Sequence, residues 1–242
     1  SFVNQIVDED VPPSVIAADP FEAVEDATGA LMPGLVRPAD LYAPERTNSH
    51  GFDLANTFDQ NLIDQARAPF THMVWHVDGH TGHTLQEVLN PARPDELVGW
   101  TYELNADEAR ACIDKARAWD VDVAERAEVL RKAADLYEAN FGEIFAVLSR
   151  EAGKSQPDAI AELREAVDFL RYYAAQAERG LAGEPCGLFA CISPWNFPLA
   201  IFTGQLAAAL AAGNGVLAKP AESTPIVAAI ATRLLHEAGV PK

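Results

Sequence analysis

Cysteine, basic charge and long apolar runs are all scarce in this chain, and each shortage removes a class of function. Cys112, Cys186 and Cys191 are the only three cysteines among 242 residues. Their irregular spacing makes no disulfide framework and fits a reducing, cytosolic compartment. Lys and Arg number 18 against 36 Asp and Glu, a formal net charge of −18. A field of that sign repels phosphate backbones; it argues against a nucleic-acid partner and for a solvated acidic surface. The most apolar run, residues 198–213, falls short of a bilayer span and carries Thr203 and Gln205, so it reads as a buried helix. No secretory signal, internal repeat or low-complexity tract is visible, and the chain begins at Ser1 without an initiator Met, as a trimmed or internal segment does. The G-x-G-x-x-G loop of dinucleotide-binding folds is absent as well.

What is present is ample core material, with 49% hydrophobic residues. The first 48 residues are rich in Pro, Asp and Glu; Pro12-Pro13, Pro20, Pro33, Pro38 and Pro44 break every periodic run, leaving short helical turns at 15–18 and 21–27. A helix is expected over 51–68, with Leu54, Phe58 and Leu62 on one face. Residues 69–104 look strand-like: 74–77 and 81–85 flank Asp78-Gly79, a hairpin signal, and 97–104 alternates apolar and polar side chains. Three helices follow. Asn105 with Glu108 reads as the capping box of one that reaches about Trp119. A second is expected over 123–150, on the spacing of Ala127, Leu130, Ala134, Tyr137, Phe141, Ile144 and Leu148. A third begins at Ser155, with Asp158 at the capping-box position and a stripe of Ile160, Leu163, Val167, Leu170, Ala174 and Ala177. These stripes are core-packing signals.

From Cys186 the rhythm becomes strand (187–192), helix (199–212, closed by Gly213), strand (215–218) and helix, the last running from Pro225 to Gly239 behind a Ser223 or Thr224 cap. Such a βαβα unit implies parallel strands and a right-handed crossover, and its ligands bind at the carboxyl ends of the strands. Two motifs lie there. In Ile192-Ser193-Pro194-Trp195-Asn196-Phe197-Pro198 a Pro-bounded turn holds one Asn, and Pro198 opens the next helix where its missing N–H costs least. An amide fixed in this way is a preorganised donor for the oxyanion of acyl transfer, unless the Asn side chain serves to close the turn. In Lys219-Pro220-Ala221-Glu222 a Lys and an acid three residues on can hydrogen-bond two ribose hydroxyls or simply form a surface ion pair.

On these two motifs, in this order and spacing, the sequence resembles the aldehyde dehydrogenase superfamily. The resemblance implies an α/β fold: an amino-terminal helical part followed by the first βαβα of a Rossmann-like parallel sheet. It makes Asn196 a catalytic oxyanion donor and Phe197 a wall of the aldehyde tunnel. It places NAD on Ile192, Ser193, Pro194, Trp195, Lys219, Ala221 and Glu222, the charge of Glu222 opposing the 2′-phosphate of NADP. Arg150-Glu151-Ala152-Gly153-Lys154-Ser155 and residues 161–173 resemble the branch that oxidises L-glutamate γ-semialdehyde. There Glu165 would meet the substrate's ammonium group, or else be a surface carboxylate paired with Arg164 or Arg171.

Residues 1–8, together with Leu41-Tyr42, Arg46, Asn48-Ser49 and 51–56, resemble the junction between a proline dehydrogenase domain and an aldehyde dehydrogenase domain in bifunctional members. The implied divisions are 1–48 (the end of the first domain and linker), 49–185 (the helical and strand part of the second) and 186–242 (the first half of its NAD-binding subdomain). FAD would serve the proline dehydrogenase part, outside this chain. The implied partners are a small aldehyde, the remainder of the polypeptide and further copies in a homo-oligomer. The implied location is the cytoplasm, with peripheral membrane association through the proline dehydrogenase part as the variant. The family's nucleophilic Cys and general-base Glu would fall beyond Lys242, so the chain alone is expected to be inactive. The competing readings are a truncated interaction module and a nucleotide-binding module without turnover. His72, His76, His80 and His83 lie in the expected hairpin and are assigned no metal, and all three cysteines are expected to be buried structural thiols.

Overall fold

The computed structural model describes residues 6–19, 34–77, 84–180 and 183–242. The principal elements are α1 (Thr57–Arg67), β1 (Trp75–His76), β2 (Thr84–Asn90), β3 (Arg93–Glu103), α2 (Ala106–Lys115), α3 (Val123–Ala139), α4 (Phe141–Glu151), α5 (Gln156–Glu178), β4 (Leu188–Ile192), α6 (Ala200–Ala211), β5 (Gly215–Lys219) and α7 (Pro225–Ala238). Of the early helical turns expected, 21–27 lies outside the described residues; a single turn forms at Pro13–Ile16.

Helix α1 starts at Asn56, whose side chain accepts the Phe58 N–H at 2.9 Å. Its buried residue is Ile63, whereas Phe58 is 71% exposed, so the face expected through Leu54, Phe58 and Leu62 is not the one that packs. Leu54 precedes the helix, and the helical spacing does not run through it.

The strands also pair differently from the expected hairpin. The order is β1-β3-β2, with β1 parallel to β3 and β2 antiparallel to it, so the strand at 75–76 does not pair with the one that follows; Asp78-Gly79 lies outside the described residues. Two contacts carry β1 to the far side of β3. The Trp75 indole N–H donates to Glu143 at 3.0 Å, and Gly99, opposite Trp75 in the register, leaves room for the Trp75 carbonyl, which a Cβ would meet at 2.4 Å. Arg150, nearly buried, binds Glu96 at 2.7 Å and the carbonyls of Phe70, Met73 and Leu97, tying α4 to this sheet.

The capping box of α2 forms as expected, with Asn105 Oδ1 accepting from Asp107 and Glu108 and Glu108 returning a bond at 2.8 Å. The helix stops at Lys115 rather than near Trp119, because Ala116 is extended and the Trp119 N–H is taken by Gly213 O at 3.0 Å. The long helix expected over 123–150 is two, α3 and α4, broken at Asn140. There the Asn amide donates to Leu136 O at 2.8 Å, competing with the helical ladder. Gly142 lies so close to Ala66 O that a Cβ would come within 2.3 Å.

Helix α5 begins at Ser155 and buries all six stripe residues. It packs on α3 and on α6, with Gly204 against the Phe169 ring at 2.8 Å from an imagined Cβ. Leu130, Tyr137, Ile144, Phe145, Leu148, Leu170, Phe202, Ile226 and Leu234 fill the shared core. Strands β4 and β5 run parallel through the α6 crossover, and Gly213 (φ 86°) and Gly239 (φ 129°) close α6 and α7 in the left-handed region. Cys191 alone is buried, which pushes its thiol pKa up; Cys112 and Cys186 are exposed, one on a helix with no buried residue and the other ahead of β4.

The segment before α1 lies on α5. Asp168 accepts from the Arg46 guanidinium at 2.5 Å and from the Ser49 N–H and hydroxyl at 3.2 and 2.7 Å.

Candidate functional site

The two sequence motifs meet at the carboxyl ends of β4 and β5. Ile192 stands opposite Lys219 in the register, and the Ser193 N–H donates to Lys219 O at 3.1 Å. Gln205 Nε2, from α6, holds the Ile192 carbonyl at 3.2 Å. Between these anchors and α6, residues 193–199 form the loop that presents Asn196.

Helix α6 begins at Ala200 with Leu199 at its N-cap, so Pro198 sits in the preceding turn rather than opening the helix. The start is set from outside: Glu162 Oε2 on α5 accepts the Leu199 and Ala200 N–H groups at 3.2 and 2.8 Å. Glu162 is 1% exposed. The Lys154 ammonium lies 2.9 Å from its other oxygen, Oε1, yet off a hydrogen-bonding direction, so that contact is a charge pair rather than a directed bond. The same ammonium donates to the Asn196 main-chain carbonyl at 2.6 Å and rides 4.7 Å above the Phe197 ring. The exposed Asn196 side-chain amide makes no hydrogen bond with the described residues, so Lys154, not the Asn side chain, closes the turn. Ile192 and Trp195 are also exposed, and Pro194 is half-buried.

Lys219 and Glu222 form the ion pair foreseen as the alternative, at 2.7 Å. The Lys219 hydrogen bond holds the Glu222 carboxyl below the usual carboxylate range. The pair also keeps a spare cationic donor and a spare carboxylate oxygen side by side, which is what a vicinal diol requires. Behind it, the Ser193 hydroxyl is buried without a partner at the end of β4, an orphaned polar atom that a ligand at this edge can satisfy. These residues fit the ribose and backbone contacts of a dinucleotide. Ala221 is buried, its carbonyl accepting from the Thr224 N–H at 3.1 Å.

Glu165 follows Glu162 by three residues on α5. Burial, and then the Glu162 charge, push its carboxyl pKa up. Neither expected cation pairs with it: Arg164 donates to Ser49 Oγ at 3.2 Å, and Arg171 binds Asp135 and Glu138, both at 2.8 Å.

The second helix entrance departs from expectation in the same way as the first. Thr224 occupies the N-cap of α7, but its hydroxyl is buried and unpartnered. Glu151 supplies the cap instead, accepting from the Ile226 and Val227 N–H groups at 2.6 and 2.9 Å. Burial, opposed by those two bonds, pushes its carboxyl up to about 8. Sequence reading missed Glu151, Lys154 and Glu162. A signal existed for the two acids: Glu151 lies three residues beyond buried Leu148, and Glu162 three beyond buried Ala159, each a carboxylate on an apolar stripe. His72 and His76 gather no metal-binding group of three or more His, Cys, Asp or Glu among the described residues, and His80 and His83 lie outside them. No helix among the described residues is long and apolar enough to cross a membrane.

The chain belongs to the aldehyde dehydrogenase family, whose profile matches residues 76–242 and so takes in the parallel βαβα unit. Over its whole length it is 44% identical, across 260 aligned residues, to the bifunctional protein PutA of Escherichia coli strain K12, of which it covers 20%. It matches 1-pyrroline-5-carboxylate dehydrogenase 1 of Halalkalibacterium halodurans at 42% identity over 173 residues, covering 63% of this chain and 34% of that protein. Among solved structures, proline utilization A from Bradyrhizobium japonicum superposes on the whole chain with a TM-score of 0.76 at 36% identity, over 24% of its own length. A Thermus 1-pyrroline-5-carboxylate dehydrogenase with bound NAD covers 80% of the chain and 43% of its own length, with a TM-score of 0.73 at 31% identity. The chain thus spans about a fifth of the length of the PutA relatives that it matches in full.

Proposed function

We propose that the chain is an internal part of a bifunctional proline-oxidising enzyme, and that it supplies the first half of the site that oxidises L-glutamate γ-semialdehyde to L-glutamate with NAD. The observation that carries this reading is the difference in coverage. The family profile begins at residue 76, and the 1-pyrroline-5-carboxylate dehydrogenase match takes 63% of the chain, yet PutA matches all of it. The residues ahead of the profile are therefore shared with the bifunctional PutA proteins.

In this reading the Asn196 amide donates to the oxyanion that develops on the aldehyde oxygen as the nucleophile adds to the carbonyl carbon. Phe197 lines the aldehyde's path, and Glu165 meets its ammonium group. Lys219 and Glu222 hold the adenosine ribose, the Glu222 charge selecting against a 2′-phosphate, and the backbone of residues 192–195 with Ala221 lines the rest of the dinucleotide site. NAD, when bound, supplies the hydride acceptor. The remainder of the polypeptide supplies the nucleophile and the general base.

The test is the full-length protein given proline or glutamate γ-semialdehyde, with NADH formation followed. Semialdehyde-dependent NADH formation is expected, and Asn196→Ala should lower its turnover by roughly 10²–10³-fold with little change in NAD affinity. A full-length protein that reduces NAD with simple aliphatic aldehydes but not with the semialdehyde would refute the substrate. An unchanged turnover number in Asn196→Ala would remove Asn196 from the site.

A further inference from the structure

We propose that Lys154, anchored by Glu162, is a positioning residue that aims the Asn196 amide at the oxyanion; this rests on the reading of Asn196 given above. The amide has no hydrogen bond of its own to the described residues, so its direction follows from the backbone that bears it. That backbone is clamped at two points by one ion pair. In the middle of the loop, Lys154 Nζ holds the Asn196 carbonyl at 2.6 Å. At its end, Glu162 Oε2 holds the Leu199 and Ala200 N–H groups. Turning the 196–197 peptide breaks the first bond, and shifting the entrance of α6 breaks the second.

Lys154 is itself held in place. Gly153, at φ +66°, reverses the chain at the end of α4, and the Lys154 N–H donates to Leu148 O at 3.1 Å. The side chain that leaves this turn is only 16% exposed, and its charge meets a carboxylate that is 1% exposed. Replacing such a pair with apolar groups is often neutral or stabilising, so stability is a weak reason for it and a fixed geometry the better one. The ammonium is already committed to the Asn196 carbonyl, to Glu162 and to the face of Phe197. It therefore acts through the loop rather than as a second donor to substrate.

The experiment is a double-mutant cycle in the full-length enzyme: parent, Lys154→Ala, Asn196→Ala and the double variant, each with kcat and KM for the semialdehyde and a calorimetric NAD affinity. Misaiming one donor is expected to lower kcat by up to roughly 10²-fold in Lys154→Ala, with NAD affinity unchanged. The double variant should be no slower than Asn196→Ala alone. Added ethylammonium should restore part of kcat to Lys154→Ala but none to the double variant, a rescue that a merely structural role does not give. If Asn196→Ala is slow while Lys154→Ala keeps its kcat, or if the two losses multiply, the positioning role fails and the oxyanion reading stands. If Asn196→Ala keeps its turnover, the oxyanion reading itself fails and takes the positioning role with it. Should Lys154→Ala not fold, Lys154→Arg enters the same cycle, where its wider head group should displace the carbonyl and show the same non-additivity.

Discussion

The first turns of α6 and α7 are both capped by a carboxyl group from another helix, and the two caps differ in their surroundings. Glu162 and Glu151 each accept two main-chain N–H groups, and each is 3% exposed or less. Glu162 faces the Lys154 ammonium; Glu151 faces no cation within ion-pair distance among the described residues, and its pKa rises to about 8. The contrast separates two uses of one device. At α7 the carboxyl group meets the helix and goes no further. At α6 the added cation extends the cap back into the loop ahead of it, to Asn196 and Phe197.

The largest effect should come from Glu162→Ala in the full-length protein. It orphans two buried N–H groups and strips a sheltered cation of its partner, a loss of about 3–5 kcal/mol that peptide-resolved hydrogen exchange should show at the start of α6, together with a fall in kcat. Glu151→Ala removes only the cap, a loss of about 1–3 kcal/mol in all, and should loosen the start of α7 while leaving kcat near that of the parent. The comparison breaks if both substitutions slow catalysis equally.

Acidity sharpens it further. Because the folded pKa of Glu151 lies above its unfolded value, its contribution to stability is complete below the ordinary carboxylate range and is lost as pH rises through about 8. Protection at the start of α7, taken relative to the intrinsic exchange rate at each pH, should therefore fall between pH 5 and 9, and Glu151→Gln should flatten that fall; a fall that survives the substitution assigns it to another group. The smallest effect belongs to the exposed pair at β5. Lys219→Ala or Glu222→Ala should weaken NAD binding by roughly three- to tenfold without changing exchange at either helix. Calorimetric values equal to the parent's would leave the pair as a surface ion pair only.

What the sequence could disclose was whatever its neighbours in the chain decide. The Asn105–Glu108 box, the Ser155 start and the glycines at 213 and 239 are local, and each stands where it was expected. The six-residue stripe of α5 packs as its period requires. The break at Asn140 was hidden because the apolar spacing continues across it, and the close approach of Ala66 to Gly142 is a tertiary fact. The sheet order was hidden because the Gly99 vacancy that admits Trp75 gives no periodic sign. The site divides in the same way. The Asn196 and Lys219–Glu222 motifs are contiguous and were visible, whereas the Lys154 bond to the Asn196 carbonyl spans 42 residues and the Glu151 cap spans 75. The expected burial of Cys112 and Cys186 failed for a related reason, since neither position lies on a face that another element covers.

Asp168 bears on how the chain is made. Its partners Arg46 and Ser49 precede it by 122 and 119 residues. At a synthesis rate of about 5–20 residues per second, they leave the ribosome roughly 6–24 s before the carboxylate that will receive them. During that interval the stretch at 46–49 has none of its bonds to α5 and stands open to a protease. Nascent chains too short to include α5 should be cut there, and longer ones should be spared.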